Sequence, residues 1–217
     1  MKPYHVVVAG ASGGGKSTLL REMFAEFDGV SVWVRRGPND DDAPSGYRVR
    51  GTAAMQTGIR KASSWTGVRL VYQTSGDAES VRAAVSDVRQ LARQIHDVTG
   101  GAVGTQMILD EAHGYLPDAE SESGPGNPIR DAMHEDRDNG LKVVLASQDP
   151  TDLYYPPLKQ AAHIVWVGET RVFNRGFLRY FGLDSLKLPN ERFRYVVIKP
   201  TDPPEVVYRG ETNEEYA

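Results

Sequence analysis

The sequence predicts an α/β fold with a mostly parallel central sheet and helices on both of its faces. Short apolar runs alternate with amphipathic segments along the chain, and this order is typical of β–α–β units. The apolar runs do not alternate with polar residues, as expected of strands that are buried on both faces. A glycine-rich turn joins the first such run to the first amphipathic segment. With 217 residues, the chain suits one domain over residues 1–217.

The first strand and helix are defined by their apolar patterns. Residues 4–9 predict a buried strand, and residues 30–34 predict a second one. Between them, residues 17–27 predict a helix that Gly29 ends. The apolar positions at helical spacing in this helix are Leu19, Leu20, Met23, Phe24 and Phe27.

The following stretch has weaker signals. Residues 37–44 have the composition of a loop. Residues 47–51 indicate a short strand, residues 53–61 a short helix, and residues 68–72 another strand.

The clearest helix is predicted over residues 77–98. Ser75 or Asp77 can cap its start, and Gly100 follows its end. Its apolar positions are Val81, Val85, Val88, Leu91 or Ala92, Ile95 and Val98. The remaining predicted elements are a helix at 131–138 and strands at 106–110, 141–147, 163–167, 194–198 and 206–208. We expect a mobile acidic loop at 118–128 and a frayed acidic tail at 211–217.

Composition excludes several classes of function. The chain has no cysteine, which excludes disulfides, cysteine metal sites and thiol catalysis. Its net charge of −4 argues against a uniformly basic nucleic-acid surface, although a local basic patch stays open. No charged leader precedes the first strand and no apolar run reaches the ~20 residues that span a bilayer. We therefore expect neither a signal peptide nor a membrane span.

The turn after the first strand matches the phosphate-binding pattern G-x-x-x-x-G-K-[ST] in full, with a strand before it and a helix after it. Its backbone N–H groups and the helix N-terminus attract phosphate oxygens. Lys16 is expected at the β- and γ-phosphates of ATP, the Ser17 hydroxyl at Mg²⁺, and Thr18 near the α-phosphate. The predicted nucleotide-binding residues are Gly10, Ser12, Gly13, Gly14, Gly15, Lys16, Ser17 and Thr18. A glycine turn without a ligand is the alternative.

An acid pair, Asp110-Glu111, follows the predicted strand at 106–110. Asp110 is the candidate ligand to the Mg²⁺ water shell, and Glu111 the candidate base that orients the attacking water. A surface acid pair that only ends a strand is the alternative. His113 is a candidate relay, although packing under the next turn explains it as well.

The strand at 141–147 ends in a glutamine. Since parallel strands end at one edge of a sheet, Gln148 is expected near Asp110, where it can hydrogen-bond the γ-phosphate or the attacking water. An ordinary strand-end amide is the alternative.

Together, VVAGASGGGKST, ILDEAHGYLP and HEDRDNGLKVVLASQDPTDL resemble the HerA-FtsK superfamily of DNA-pumping ATPases over residues 6–153. The resemblance implies a P-loop NTPase fold of the RecA-like, additional-strand-catalytic-glutamate type. A DEAH-box helicase, whose signature Asp110 to His113 also matches, needs a second lobe for which this chain has no room.

The resemblance also implies an arginine finger that reaches into a neighbouring subunit. Arg137 falls where the family places it, and a solvated helix charge is the alternative. The other candidates for the arginine finger are Arg130, Arg171 and Arg175. Where the family often has Ser-Gln-Arg-Pro, this chain has Asp149, which cannot donate to a phosphate.

A bare motor of this size is similar to the genome-packaging ATPases of membrane-containing double-stranded DNA viruses. That likeness implies a ring, expected as a hexamer, that moves double-stranded DNA into a capsid with capsid or membrane-vertex proteins as partners, in the host cytoplasm or at the packaging vertex. The candidate DNA-facing residues are Arg35, Arg36, Arg48, Arg50, Arg60 and Lys61. An ATPase for pilus assembly, virion extrusion or conjugative transfer is the second hypothesis, and a monomeric P-loop kinase the third.

Overall fold

Nine strands form one sheet at the centre of the molecule, in the order β3-β4-β2-β5-β6-β1-β7-β8-β9. A computed structural model of the chain describes residues 4–35, 37, 43–61, 64–112, 128–148, 160–169, 175–180, 182–213 and 216. The elements are β1 (Val6–Ala9), α1 (Lys16–Glu26), β2 (Gly29–Val34), β3 (Tyr47–Val49), α2 (Gly51–Lys61), β4 (Val68–Tyr72), α3 (Ala78–Thr99), β5 (Gly104–Leu109), α4 (Pro128–Glu135), β6 (Leu141–Ser147), β7 (His163–Val167), α5 (Arg175–Tyr180), β8 (Arg194–Lys199) and β9 (Glu205–Glu211).

Seven of these strands run parallel. Strand β1 lies between β6 and β7 and is parallel to both, and the register continues in parallel through β5, β2, β4 and β3. Among the described strands, β8 pairs antiparallel with β7, and β9 pairs antiparallel with β8. The mostly parallel sheet predicted from the sequence is therefore confirmed.

Helices cover both faces of the sheet, but unequally among the described residues. The apolar sides of α2, α3, α4 and α5 share one core with the sheet. The opposite face packs against α1 through Leu19, Leu20 and Phe24. None of the described helices is both long and apolar enough to cross a bilayer.

Side-chain hydrogen bonds cap the end of α1 and the start of α3. Arg69 caps the end of α1 by donating from Nη2 to the carbonyls of Ala25 (2.5 Å) and Phe27 (2.6 Å). At the start of α3, the Asp77 side chain accepts the N–H of Ser80 at 2.8 Å, so Asp77 is the N-cap. Val98 was predicted on the buried face of α3 but is 72% exposed, because it borders an open groove between α2 and α3.

The largest differences from the predicted boundaries are at α4 and in the C-terminal segment that contains β9. Helix α4 begins at Pro128 rather than Asp131, because proline needs no N–H partner at the first helical position. Residues 118–127 of the predicted mobile loop lie outside the described residues. The frayed tail over 211–217 is wrong for its first residues, since Glu211 ends β9 and Thr212, 3% exposed, donates its N–H to the Phe193 carbonyl at 2.7 Å.

Candidate nucleotide-binding site

The glycine-rich turn lies between β1 and α1 at the carboxyl edge of the parallel strands. Gly13 and Gly15 adopt positive φ angles of 76° and 105°, which a residue with a Cβ rarely adopts. The N–H of Gly14 donates to the Ala11 carbonyl at 3.1 Å and closes the turn. Lys16 is buried, and its Nζ lies 3.5 Å from the same Ala11 carbonyl. The ammonium group is therefore held over the turn, where phosphate oxygens are expected.

Glycine is needed in this turn for a second reason, because the turn packs closely against the end of β7. A Cβ on Gly10 would lie 2.1 Å from the Val167 carbonyl oxygen, and a Cβ on Gly168 would lie 2.7 Å from the Gly14 Cα. Backbone therefore packs directly on backbone here. This contact could not be read from the motif, which explains its glycines by phosphate binding alone.

The acid pair lies where the sequence predicted it, directly after β5. The Glu111 N–H donates to the Asp110 Oδ1 at 2.9 Å. Glu111 has φ of +50°, a strained conformation for a residue with a side chain. Strain of this kind is found mostly at functional sites, and here it turns the Glu111 carboxylate towards β6.

Gln148 follows β6, the neighbouring strand, and contacts this carboxylate. Its Nε2 donates to Glu111 Oε1 at 2.6 Å. The strand pairing explains the contact, because Leu109 of β5 lies opposite Leu145 of β6. The structure thus brings together two side chains that lie 37 residues apart.

A single cavity of about 460 Å³ joins these parts. Among the predicted site residues, the cavity is lined by parts of the glycine-rich turn, the first residues of α1, Glu111 and Gln148. Its lining residues are Ser12, Gly13, Gly15, Lys16, Ser17, Thr18, Arg21, Glu111, Gln148, Arg192 and Phe193. The arrangement places a cation, backbone N–H donors and a carboxylate around one space, which suits a polyphosphate and an attacking water.

Sequence reasoning missed three of these residues: Arg21, Arg192 and Phe193. Arg192 donates from Nε to the Gly13 carbonyl at 2.8 Å, and the Phe193 N–H donates to the Gly14 carbonyl at 2.9 Å. No local signal marks Arg192 and Phe193, because they are about 180 residues from the turn in sequence and reach it only through the antiparallel return of β8. Arg21 lies in α1, just after the phosphate-binding motif, but the motif does not include it.

The donors predicted for Mg²⁺ fit that ion chemically. Ser17 lines the cavity, and Asp110, 9% exposed, lies at the end of β5. Hydroxyl and carboxylate oxygens are hard ligands that suit Mg²⁺ together with substrate phosphates. Within the described residues, no group of three or more His, Cys, Asp or Glu side chains could hold a metal ion.

Arg137 lies far from this cavity within its own chain. It is exposed in the turn before β6, whereas Gln148 follows the other end of the same strand. Arg130 lies in α4, the side chain of Arg175 is outside the described residues, and Arg171, His113 and Asp149 are outside them altogether. The structure therefore does not bring Arg137 to the site of its own subunit.

The basic residues predicted to face DNA differ in their exposure. Arg35 is wrong as a DNA contact: it is 8% exposed, because its backbone is paired on both sides with Tyr72 and Thr74. Arg48 and Arg50 are exposed at the carboxyl end of β3, whereas Arg60 and Lys61 are exposed at the C-terminus of α2. Arg36 lies outside the described residues.

Comparison with solved structures finds the same fold in the genome-packaging NTPase B204 of Sulfolobus turreted icosahedral virus 2, in complex with ATP-γS. The two chains are 16% identical, and their alignment covers 98% of this chain and 100% of that one with a TM-score of 0.68. No protein-family model matches the sequence, and no curated protein sequence matches it.

Two other structures are similar at lower scores. The N-terminal domain of zonular occludens toxin from Neisseria meningitidis is 12% identical, with 100% of this chain and 97% of that one covered and a TM-score of 0.51. The cytoplasmic domain of the type VII secretion ATPase EccC from Thermomonospora curvata is 13% identical, with 98% and 24% covered and a TM-score of 0.51. These comparisons confirm the predicted P-loop ATPase fold.

Proposed function

We propose that this protein is an ATPase of the viral genome-packaging type, which drives double-stranded DNA through an oligomeric ring. The observation that carries the proposal is the cavity in which Lys16, Glu111 and Gln148 meet. The likeness to B204 supports it, because that likeness extends over the whole of both chains. On this proposal the substrate is ATP with Mg²⁺.

The residues divide the chemistry among them. The N–H groups of the turn and Lys16 bind the β- and γ-phosphates, and Ser17 and Asp110 hold Mg²⁺, which would neutralise phosphate charge when bound. Glu111 accepts a proton from the attacking water. The oxygen of that water bonds to the γ-phosphorus while the bond from the γ-phosphorus to the β,γ-bridging oxygen breaks, and the products are ADP and inorganic phosphate. Gln148 orients the Glu111 carboxylate through the 2.6 Å hydrogen bond.

Arg137 is proposed to act on a neighbouring subunit. An arginine that works in trans must be exposed and held away from its own site, and Arg137 meets both conditions. Its turn is fixed by the buried Asp136, which accepts hydrogen bonds from Arg93 (2.8 Å) and Asn139 (3.1 Å). A hexameric ring would place such a residue at each subunit boundary.

The proposed partner is double-stranded DNA, contacted through its phosphates. Arg48, Arg50, Arg60 and Lys61 are exposed and would bind without reading sequence. Capsid or membrane-vertex proteins would complete the packaging machine, in the host cytoplasm or at the packaging vertex.

An ATPase that moves protein is the second candidate, and the similarity to the secretion ATPase EccC favours it. The lower TM-score of 0.51, against 0.68 for B204, makes it the weaker one. A monomeric kinase, the third candidate, needs an acceptor-binding lid, which the sequence motifs and the described part of the chain do not supply.

The test is ATP hydrolysis with and without long double-stranded DNA, in the wild type and in Glu111→Gln. Glutamine keeps an oxygen that accepts from Gln148 but cannot accept the proton of water, so we expect about a thousandfold loss of hydrolysis with nucleotide binding retained. DNA should stimulate the wild type and leave Glu111→Gln inactive.

Two results would contradict the proposal. Hydrolysis that Glu111→Gln abolishes but DNA does not change would favour the protein-moving candidate. Equal hydrolysis by the wild type and Glu111→Gln would show that the cavity is not the active site. Short and long duplexes at equal nucleotide concentration provide the control, because a translocase responds to the length of its track.

A further inference from the structure

The cavity has two flanks, which the strand order separates. Strand β1, which leads into the glycine-rich turn, has β6 and β5 on one side and β7 and β8 on the other. Glu111 and Gln148 follow β5 and β6 and form the first flank. Arg192 and Phe193 immediately precede β8, and because β8 runs antiparallel to β7, its start lies at the same edge and forms the second flank.

The second flank is fixed in place by backbone hydrogen bonds. Phe193 donates its N–H to Gly14 (2.9 Å) and accepts at its carbonyl from the Thr212 N–H (2.7 Å). The next carbonyl, of Arg194, accepts from the Gly168 N–H at 2.8 Å. Phe193 holds a φ of +63°, which is strained for a phenylalanine. These bonds hold the strained residue against the turn and make the flank a rigid wall.

Two planar groups of the wall, the Arg192 guanidinium and the Phe193 ring, belong to residues that line the cavity. The Arg192 guanidinium lies over the Phe193 ring, 5.0 Å from its centroid, while Arg192 Nε is engaged by the Gly13 carbonyl. The guanidinium is thereby held over a ring that is half-buried. A guanidinium ordered in this way stacks readily on an aromatic base.

The direction of a bound nucleotide follows from the first flank. The γ-phosphate must lie beside Glu111 and Gln148, and the turn takes the β-phosphate. Thr18 in the first turn of α1 is the candidate α-phosphate contact, and Arg21, one helical turn further on, also lines the cavity. The nucleoside therefore leaves the turn on the flank away from Glu111, where Arg192 and Phe193 lie.

We propose that Arg192 and Phe193 form the nucleoside subsite, in which the purine base of the nucleotide stacks on the Arg192 guanidinium supported by the Phe193 ring. The inference rests on the proposed function, since it requires a nucleoside triphosphate in the cavity. It adds a base-binding wall to a site whose sequence motifs concern only phosphate, metal and water.

The experiment compares two ligands, ATP and inorganic tripolyphosphate, each with Mg²⁺, by calorimetric titration of the full chain. Arg192→Ala and Phe193→Leu should each weaken ATP binding about tenfold, as expected for loss of one stacking contact, and leave tripolyphosphate binding unchanged. Arg194→Ala is the matched control, because Arg194 lies next to the wall but pairs with Glu191 at 2.9 Å instead of lining the cavity. Thermal melting of each variant checks that it folds.

Each other outcome overturns the inference in a recognisable way. Equal losses for ATP and tripolyphosphate would mean that the wall only shapes the phosphate-binding turn, and unchanged ATP binding would mean that the base lies elsewhere. If the wild type bound neither ligand, the proposed function would fail and the subsite with it. Lys16→Ala separates these cases, because it should lose both ligands when the site binds phosphate.

Discussion

The carboxyl and amino edges of the parallel strands are built on opposite principles. At the carboxyl edge, Glu111 and Phe193 hold positive φ angles of 50° and 63°, and within the described residues they are the only non-glycine residues that do so. Both line the cavity. At the amino edge, the buried His5 and Asp136 are hydrogen-bonded to neighbouring elements. Strain therefore lies where a ligand is expected, and the other edge carries buried polar side chains that bind neighbouring elements.

This difference suggests that the carboxyl edge serves ligand binding and the amino edge serves stability. Strained residues destabilise a fold by an amount on the order of 1–3 kcal/mol each and persist only where their surroundings hold them. At the carboxyl edge, Phe193 is held by backbone hydrogen bonds with Gly14 and Thr212. The amino edge instead carries a buried ion-pair cluster, in which Arg89 and Arg93 of α3 both bind Asp136 in the turn before β6. Three changes, from the largest expected effect to the smallest, test whether the edges are separable in this way.

Asp136→Ala should give the largest effect, a loss of about 4 kcal/mol in the free energy of unfolding. Asp136 is fully buried, and its removal leaves Arg89, whose side chain is 13% exposed, without its innermost partner. Glu135→Gln is the control, because Glu135 binds the same arginine at 2.9 Å but is 62% exposed, and it should change stability by less than about 1 kcal/mol. Urea denaturation measures both. Similar losses in the two variants would show that burial of Asp136 is unimportant.

The second change is in pH and concerns His5. Burial lowers the pKa of His5 to about 4, and its Nδ1 accepts the N–H of Val143 at 3.1 Å. The unfolded chain binds the proton near pH 6.5 and the folded chain only near pH 4, so stability is lost as the pH falls between these values, by up to about 3 kcal/mol. In His5→Asn, an amide oxygen can accept from Val143 without titrating. Denaturation at pH 7 and pH 5 should therefore show a flatter pH dependence in this variant, and the same slope as in the wild type would exclude His5 as its source.

The third change sharpens the comparison at the carboxyl edge. Gly168 and Gly67 have nearly equal φ angles of 69° and 70°, so alanine strains both equally. Only at Gly168 does the new Cβ meet backbone, at 2.7 Å from the Gly14 Cα, whereas nothing lies within 4 Å at Gly67. Gly168→Ala should therefore lose about 2 kcal/mol more stability than Gly67→Ala, and should weaken ATP binding while Gly67→Ala does not. Equal binding by both variants would show that the turn adjusts freely.

The parts of the site that local patterns define were predictable. A complete phosphate-binding motif fixes the turn between β1 and α1, and the buried runs before Asp110 and Gln148 place both residues at one sheet edge because parallel strands end together. The contact between Glu111 and Gln148 follows from that geometry. The roles of these residues stay predictions until they are measured.

The parts of the site and fold that depend on contacts between residues far apart in the sequence were not predictable. Arg192 and Phe193 reach the turn only because β8 reverses direction beside β7. Arg35 looked like a surface charge after a strand, yet it is 8% exposed and its backbone is hydrogen-bonded to Tyr72 and Thr74. The acidic composition of the last residues suggested fraying, whereas the pairing of Glu211 with Arg194 across β8 and β9 decides their structure.

The backbone contact between the glycine-rich turn and the end of β7 has a mechanical consequence. No side chain separates Gly14 from Gly168, so no compressible layer exists to absorb a shift of the turn. Protein interiors transmit strain because they are densely packed, and here a shift would pass from the turn to β7 and on to the β8–β9 hairpin at the outer edge of the sheet. Gain or loss of a ligand at the turn would therefore be expected to move the β8–β9 hairpin as well.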